Sequence, residues 1–282
     1  MDEKEIKLLY PRFDQREGTS DSQLRPNPVR RYATCRCVDY FQHVKSGKWQ
    51  ELGLHAEQQD TTSEALQALE WYVEKLAADG SDEFNPRRGI GPERWEQIIT
   101  LPPSIAKLQS VKYFALYGSH LVRIPPEIGE LAKLEEFDPY TSYCLHWFPY
   151  EITRCPKLKR SRVSTRALYG NYKYRPPFPR LPSKLPGIAP ASCSVCRGPF
   201  KIAGPKQVWT SLRVATDVLP LLVHACSNEC IKKLPKPPDG YVQEPHRGGL
   251  AVDQPASEES YSYGDCLREA PLIAKLRIAR LR

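Results

Sequence analysis

Between residues 61 and 80 the chain reads TTSEALQALEWYVEKLAADG, and Leu66, Leu69, Val73 and Leu76 recur at three- and four-residue steps. That spacing gathers them on one face of an α-helix. Thr61 and Glu64 stand at capping-box spacing and Asp79-Gly80 supplies a stop, so the pattern predicts a helix across this stretch, with Glu64, Glu70 and Glu74 in water. The period then changes. Residues 101–123, 124–147 and 148–171 align at offsets of 23 and 24, with Pro102, Pro125 and Pro149 coinciding, then Ile105, Ile128 and Ile152, then Val111, Leu134 and Leu158. Each unit predicts a short strand, around YFAL, EFDP and RSRV, followed by a return through a turn or short helix. Further on, LPLLVHAC (219–226) alternates as a strand does.

The units differ where they matter most. Phe114 and Phe137 occupy one core position that the third unit gives to Ser161, and Leu116 is answered by Pro139, a poor central-strand residue. The third unit is therefore degenerate or a cap. Three units bury too little surface alone, so the 61–80 helix and the chain after residue 171 are expected to seal the two ends.

A repeat of this length reading LPPSIAKL and IPPEIGEL resembles the intracellular leucine-rich repeats of the plant Ras-group type. The resemblance implies an α/β fold: a short leucine-rich repeat solenoid with a curved parallel sheet, an N-terminal α-helical cap, and a non-catalytic concave face that binds a protein. The outward strand positions would be Tyr113, Ala115 and Tyr117; Glu136, Asp138 and Tyr140; and Arg160, Arg162 and Ser164. Partner contact is expected at Tyr113, Tyr117, Glu136, Asp138, Tyr140, Arg160 and Arg162, so that reversing Arg160 and Arg162 to Glu should abolish capture without unfolding. The competing expectation is that the protein's own termini cover this face.

The cysteines add chemistry. ASCSVCRGPF (191–200) holds Cys193 and Cys196 in CxxC spacing before an Arg-Gly turn, and HACSNEC (224–230) holds Cys226 and Cys230 in CxxxC spacing. CxxC places two thiolates at a hairpin tip, and CxxxC places two on one face of a first helical turn that Ser227 can cap. Four sulfurs in this arrangement predict a closed, structural Zn²⁺ site made of Cys193, Cys196, Cys226 and Cys230. His224 would share the side of Cys226 only if the strand ran on regularly, so it is set aside as a ligand. The pattern resembles treble-clef zinc fingers of the MYM or TRASH kind, and leucine-rich repeat proteins with such a module, some of them linked to ubiquitin-ligase assembly; the resemblance implies, as a further alternative, a substrate adaptor of a ubiquitin-ligase complex. Cys155 falls in the slot of Leu108 and Leu131 and reads as a core thiol, whereas Cys35-x-Cys37 has no second pair near it.

Charge changes the picture once more. The 282-residue chain carries a formal +8, yet residues 152–215 hold no Asp or Glu and 14 Lys and Arg, leaving 27 basic against 33 acidic residues elsewhere. Such a block is an electrostatic footprint for nucleic acid, the alternative partner. Within it YGNYKYRPPFPRLPSKLPGIAP (169–190) interleaves rings and bases, either to stack on single strands or, as the favoured reading, as a strap packed on its neighbour. No run nears the ~20 apolar residues of a membrane span. The charged start MDEKEIKLLY lacks a signal core, which together with the nine cysteines predicts an intracellular, cytoplasmic protein with the nucleus open to it. No phosphate loop, nucleophile elbow, zincin or dinucleotide motif is present, so an enzyme is not expected.

The expected organisation is an N-terminal segment 1–60 with strand-like stretches at 30–42 and 48–54; a helical cap 61–100; repeats 101–171; a Pro-rich connector 172–190; a zinc module 191–236; and a tail 237–282, loose at first and closing on a basic helix 268–282.

Overall fold

A computed structural model describes residues 54–55, 57–142, 144–163, 177–183 and 190–255. The stretch 30–42, nearly all of 48–54, Ser164, and the basic helix expected at 268–282 lie outside them. The described residues form a mixed α/β structure with a four-stranded parallel sheet and a three-stranded mixed sheet.

The first helix of the described residues, α1, spans Glu64–Asp79 and buries Leu66, Leu69, Val73 and Leu76, with Gly80 in the left-handed conformation closing it. Its N-cap is Ser63, whose hydroxyl accepts from Leu66 N, not the expected Thr61. The cause is local. Asp60 takes the backbone N–H and the hydroxyl of Thr62 at 2.9 and 2.7 Å, and that turn carries the chain two residues further before it can wind.

A strand follows directly. β1 (Glu83–Phe84) pairs in parallel with β2 (Tyr113–Ala115), β2 with β3 (Glu136–Asp138), and β3 with β5 (Arg160–Ser161). Two one-turn helices, α2 (Pro86–Gly89) and α3 (Pro92–Trp95), link β1 to the units that follow. The register matches the sequence alignment: Tyr113 faces Glu136, which faces Arg160. Each unit also starts a 3-10 turn at the same place, Pro103–Lys107, Pro126–Glu130 and Tyr150–Arg154, with Pro102, Pro125 and Pro149 in extended conformation before them. Pro103 and Pro126 open the first two turns, where proline's missing N–H would be unpaired anyway. Ile105, Ile128 and Ile152 are buried beneath these turns. The second and third turns touch so closely that a Cβ on Gly129 would stand 2.6 Å from the carbonyl oxygen of Glu151.

Inside the sheet the phenylalanines form a column, Phe84 on Phe114 at 4.6 Å and Phe114 on Phe137 at 6.4 Å between ring centroids. Ser161 takes the next place. There Phe148 of β4 (Phe148–Pro149) meets Phe137 edge-on at 5.6 Å, while Val214, Leu219 and Leu221 join the same core. β6 (Lys206–Val214) and β7 (Asp217–Ala225) make a nine-pair antiparallel hairpin, turned at Ala215 (φ 52°), and β7 pairs in parallel with β4.

The start of the tail is not loose. His246 exchanges backbone hydrogen bonds with Trp209 of β6 at 2.7 and 3.2 Å, and Arg247 donates to the carbonyls of Leu181 and Pro182 at 2.7 Å each. Gly249 N reaches Phe178 O at 2.8 Å. The segment 177–183 is thereby held between β6 and the tail with Phe178 buried against Trp209 and His246, as a packed strap would be.

Candidate metal centre

The four candidate ligands arrive from two elements. Cys193 and Cys196 stand on a knuckle in which Arg197 N donates to Cys193 O and Cys193 N to Gly198 O, both at 2.9 Å. The left-handed residue of this turn is Arg197, φ 61°, rather than the glycine after it. Cys226 directly follows β7, and Cys230 lies in α4 (Asn228–Lys232), whose N-cap Ser227 accepts from Cys230 N at 3.2 Å. The hairpin brings the pairs together. Ser194 N donates to His224 O at 2.8 Å, and His224 N donates back to the Ser194 hydroxyl at 3.0 Å.

All four sulfurs lie within 4.8 Å of one another, with Cys196 to Cys226 at 3.6 Å and Cys226 to Cys230 at 3.5 Å. A disulfide holds its sulfurs near 2.05 Å, whereas a tetrahedron with metal–sulfur bonds of about 2.3 Å sets them about 3.8 Å apart. The cysteines therefore form a cluster able to hold one metal ion. Burial opposes ionisation of Cys193, but the N–H groups of Cys196, Cys226 and Val195 around its sulfur bring the thiol down to about 7. Burial, with the other thiols beside it, pushes Cys230 up to about 12. Without a cation the sulfurs cannot all be thiolate, and a divalent ion removes that conflict.

His224 is no part of the cluster. Val223 and Ala225 face Cys193 and Cys230, so His224 points to the other side of β7, level with Gln207. It is buried rather than at the surface, and burial holds its imidazole neutral by lowering it to about 4. Cys155 is the core thiol expected, donating to Ile128 O at 3.2 Å. Cys144 is buried as well.

On the sheet face the expected partner residues are brought into rows, but several are already engaged. Asp138 is only 4 % exposed. It accepts from the Tyr113 hydroxyl at 3.2 Å and from Arg162 Nε at 3.1 Å. Burial, and then Asp138 beside it, pushes the Tyr113 phenol up to about 12. Arg160 pairs with Glu136 at 3.2 Å, and Lys159 pairs with Glu135. Ala115, level with Asp138 on the same face, is buried as well. Tyr140 remains 41 % exposed, with Arg162 over its ring at 5.4 Å and Tyr117 tilted against it at 5.9 Å.

These pairs revise the charge reading. Lys159, Arg160 and Arg162 come from the stretch without acids, yet each is matched by an acid from the unit before it. Arg154 is turned inward, its guanidinium on the carbonyl of Ser194 at 2.8 Å. The pairing also bears on the double reversal of Arg160 and Arg162. A Glu at 162 would lie against the buried Asp138 carboxylate, so that reversal acts on the sheet edge as well as on any partner contact.

Sequence reasoning missed β1, although Glu83-Phe84 repeats the Glu136-Phe137 dipeptide of β3. It also missed β6, whose Val208, Thr210, Leu212 and Val214 alternate. No described helix is long and apolar enough to cross a membrane. In comparisons with known proteins, no family model and no curated sequence matches the chain.

Proposed function

We propose that this chain is a non-catalytic interaction protein: a short leucine-rich repeat array that binds a protein partner on its sheet face and is closed at its end by a structural zinc. The observation that carries the reading is the parallel pairing of β2, β3 and β5 in the register of the 23- and 24-residue repeat, which puts equivalent side chains of successive units in rows. Tyr140, Tyr117 and Arg162 pack together on that face, the aromatic and arginine mixture that anchors protein interfaces. Zinc is the ion favoured by four clustered thiolates, and a CxxC knuckle, hairpin and capped helix resemble the parts of a treble clef.

In this reading Cys193, Cys196, Cys226 and Cys230 hold the metal, and its role is cohesion. A four-thiolate site leaves no open coordination position, so the chemistry supplied is crosslinking rather than activation of water. The module needs it. Its own buried apolar cluster is Cys193, Val208, Val223, Ala225 and Cys230, two of which are ligands. The nucleic-acid alternative is weaker, because the ion pairs of Lys159, Arg160 and Arg162 reduce the positive field of the basic block.

The test exchanges Glu136→Arg with Arg160→Glu, which preserves the pair but inverts the charge order across the face. Partner capture from an extract of the native host should be lost at unchanged melting temperature, and capture unaffected by the exchange would rule out this face.

A further inference from the structure

The β6–β7 hairpin touches two things that lie far apart. Its open end is part of the cysteine cluster: Cys226 N donates to Cys193 Sγ at 3.3 Å, and Ser194 and His224 exchange the two hydrogen bonds described above. Its closed end holds the last strand of the parallel sheet. Ser161 donates from its hydroxyl to the Asp217 carboxylate at 2.6 Å, Val163 N donates to the same carboxylate at 3.4 Å, and Thr216 donates to Ser161 O at 3.2 Å. Nine uninterrupted pairs join the ends. At about 3.4 Å per residue the hairpin spans roughly 30 Å.

What it holds is a strand with little support of its own. β5 is two residues long and, among the described residues, is last in the sheet, with β3 on one side only. The hairpin turn supplies the other side. The third unit is gripped at its opposite end as well, since Arg154 donates to the carbonyls of Cys193 and Ser194 at 3.4 and 2.8 Å. The metal-binding knuckle thus fixes the 3-10 turn of this unit, and the far end of the hairpin fixes its strand.

We infer that occupancy of the cysteine cluster controls the order of β5, and with it the presentation of Arg160 and Arg162 on the sheet face. The cluster acts as a switch for binding as well as a closure. This rests on reading the four cysteines as a metal site. A metal that binds only the folded module stabilises whatever unfolds together with that module. The unit that opens on metal loss comprises the knuckle, the hairpin and β5, while β1, β2 and β3 keep the phenylalanine column and the turns beneath Ile105 and Ile128. Partner affinity would then follow the free zinc concentration, although no residue of the face touches the metal.

The experiment is hydrogen–deuterium exchange on the full chain, zinc-loaded and after chelation, with metal content measured on the same samples. The reporters exist: Lys159 N and Arg160 N donate to Glu135 O, and Arg162 N donates to Phe137 O. Chelation should speed exchange at 159–163 at least tenfold together with 193–230, while the amides of Leu116 and Glu136 keep their loaded rates. Asp217→Asn should retain one zinc, show fast exchange at 159–163 from the start, and add little on chelation; Thr216→Val, at an exposed residue, should give a smaller change in the same direction. Exchange that rises only in 193–230 would overturn the inference and leave the metal site standing. Simultaneous loss of protection in every strand would also overturn it, because the metal would then hold the whole fold. A chain that takes up no metal would remove the metal reading and this inference with it.

Discussion

Arg154 donates from its guanidinium to the backbone carbonyl of Ser194 at 2.8 Å, so the last repeat turn grips the knuckle of the cysteine cluster by its main chain. The same guanidinium is 3.9 Å from Glu151, a carboxylate almost fully buried whose titration is pushed up by that burial and pulled back by Ser194 and Arg154. Arg154→Ala removes the donor from the carbonyl and leaves the Glu151 charge alone. The expected cost is about 2–3 kcal/mol in urea unfolding. Glu151→Gln in that background should return part of it, because the buried charge is then gone.

Gly129 gives a steric prediction. A methyl group there would stand 2.6 Å from the Glu151 carbonyl oxygen and 2.9 Å from the Glu151 Cβ. Backbone cannot step aside as a long side chain can. Gly129→Ala should therefore cost about 1–3 kcal/mol, read as a lowered denaturation midpoint, despite alanine's better intrinsic propensity.

The candidate metal ligands separate from the other thiols by measurement. Serine at Cys193, Cys196, Cys226 or Cys230 should lower zinc from one per chain to none by elemental analysis. Cys155→Ser should keep the full zinc content, since a hydroxyl still donates to Ile128 O, and Cys144→Ser should keep it also. Zinc lost from the Cys155 variant would mean that the metal lies elsewhere.

Acid should unfold the tail's anchor through His246. Burial holds this imidazole neutral, lowering it from 6.5 to about 4, edge-on to Phe178 with Nδ1 accepting from Gly248 N at 3.1 Å. The unfolded chain takes a proton near the ordinary value while the folded one waits until about 4. The stabilisation is therefore complete above the unfolded value and is lost as pH falls from there toward 4, to a limit of about 3 kcal/mol. His246→Gln should flatten that part of the stability–pH curve. An unchanged curve would show that His246 takes its proton in the folded state.

Much of the sheet region was readable because its information is local and periodic. The alignment of Ile105, Ile128 and Ile152 needs only a ruler, and the knuckle with its capped second pair needs only spacing and Ser227. What escaped depends on partners far along the chain. β1 is joined to β2 across 30 residues containing two proline-started helices, so the 23-residue period skips it. The composition around His246 and Gly248 reads as loose chain, and partners far along the chain, among them Trp209, Phe178 and Leu181, make it ordered. Charge shows the difference most clearly. Counted by segment, Lys159, Arg160 and Arg162 belong to a basic block; counted across the repeat, each falls beside Glu135, Glu136 or Asp138. The second count was available from the alignment that revealed the repeat.

Ser161 ends the phenylalanine column with a hydroxyl aimed at Asp217, and that fixes how long this array can be. A further unit placed after it would have to stack an aromatic ring on a polar group and evict the hairpin turn. One inserted between Phe114 and Phe137 would meet a ring above and a ring below. Lengthening by duplication, in nature or at the bench, is thus open in the interior of the array and closed at its end.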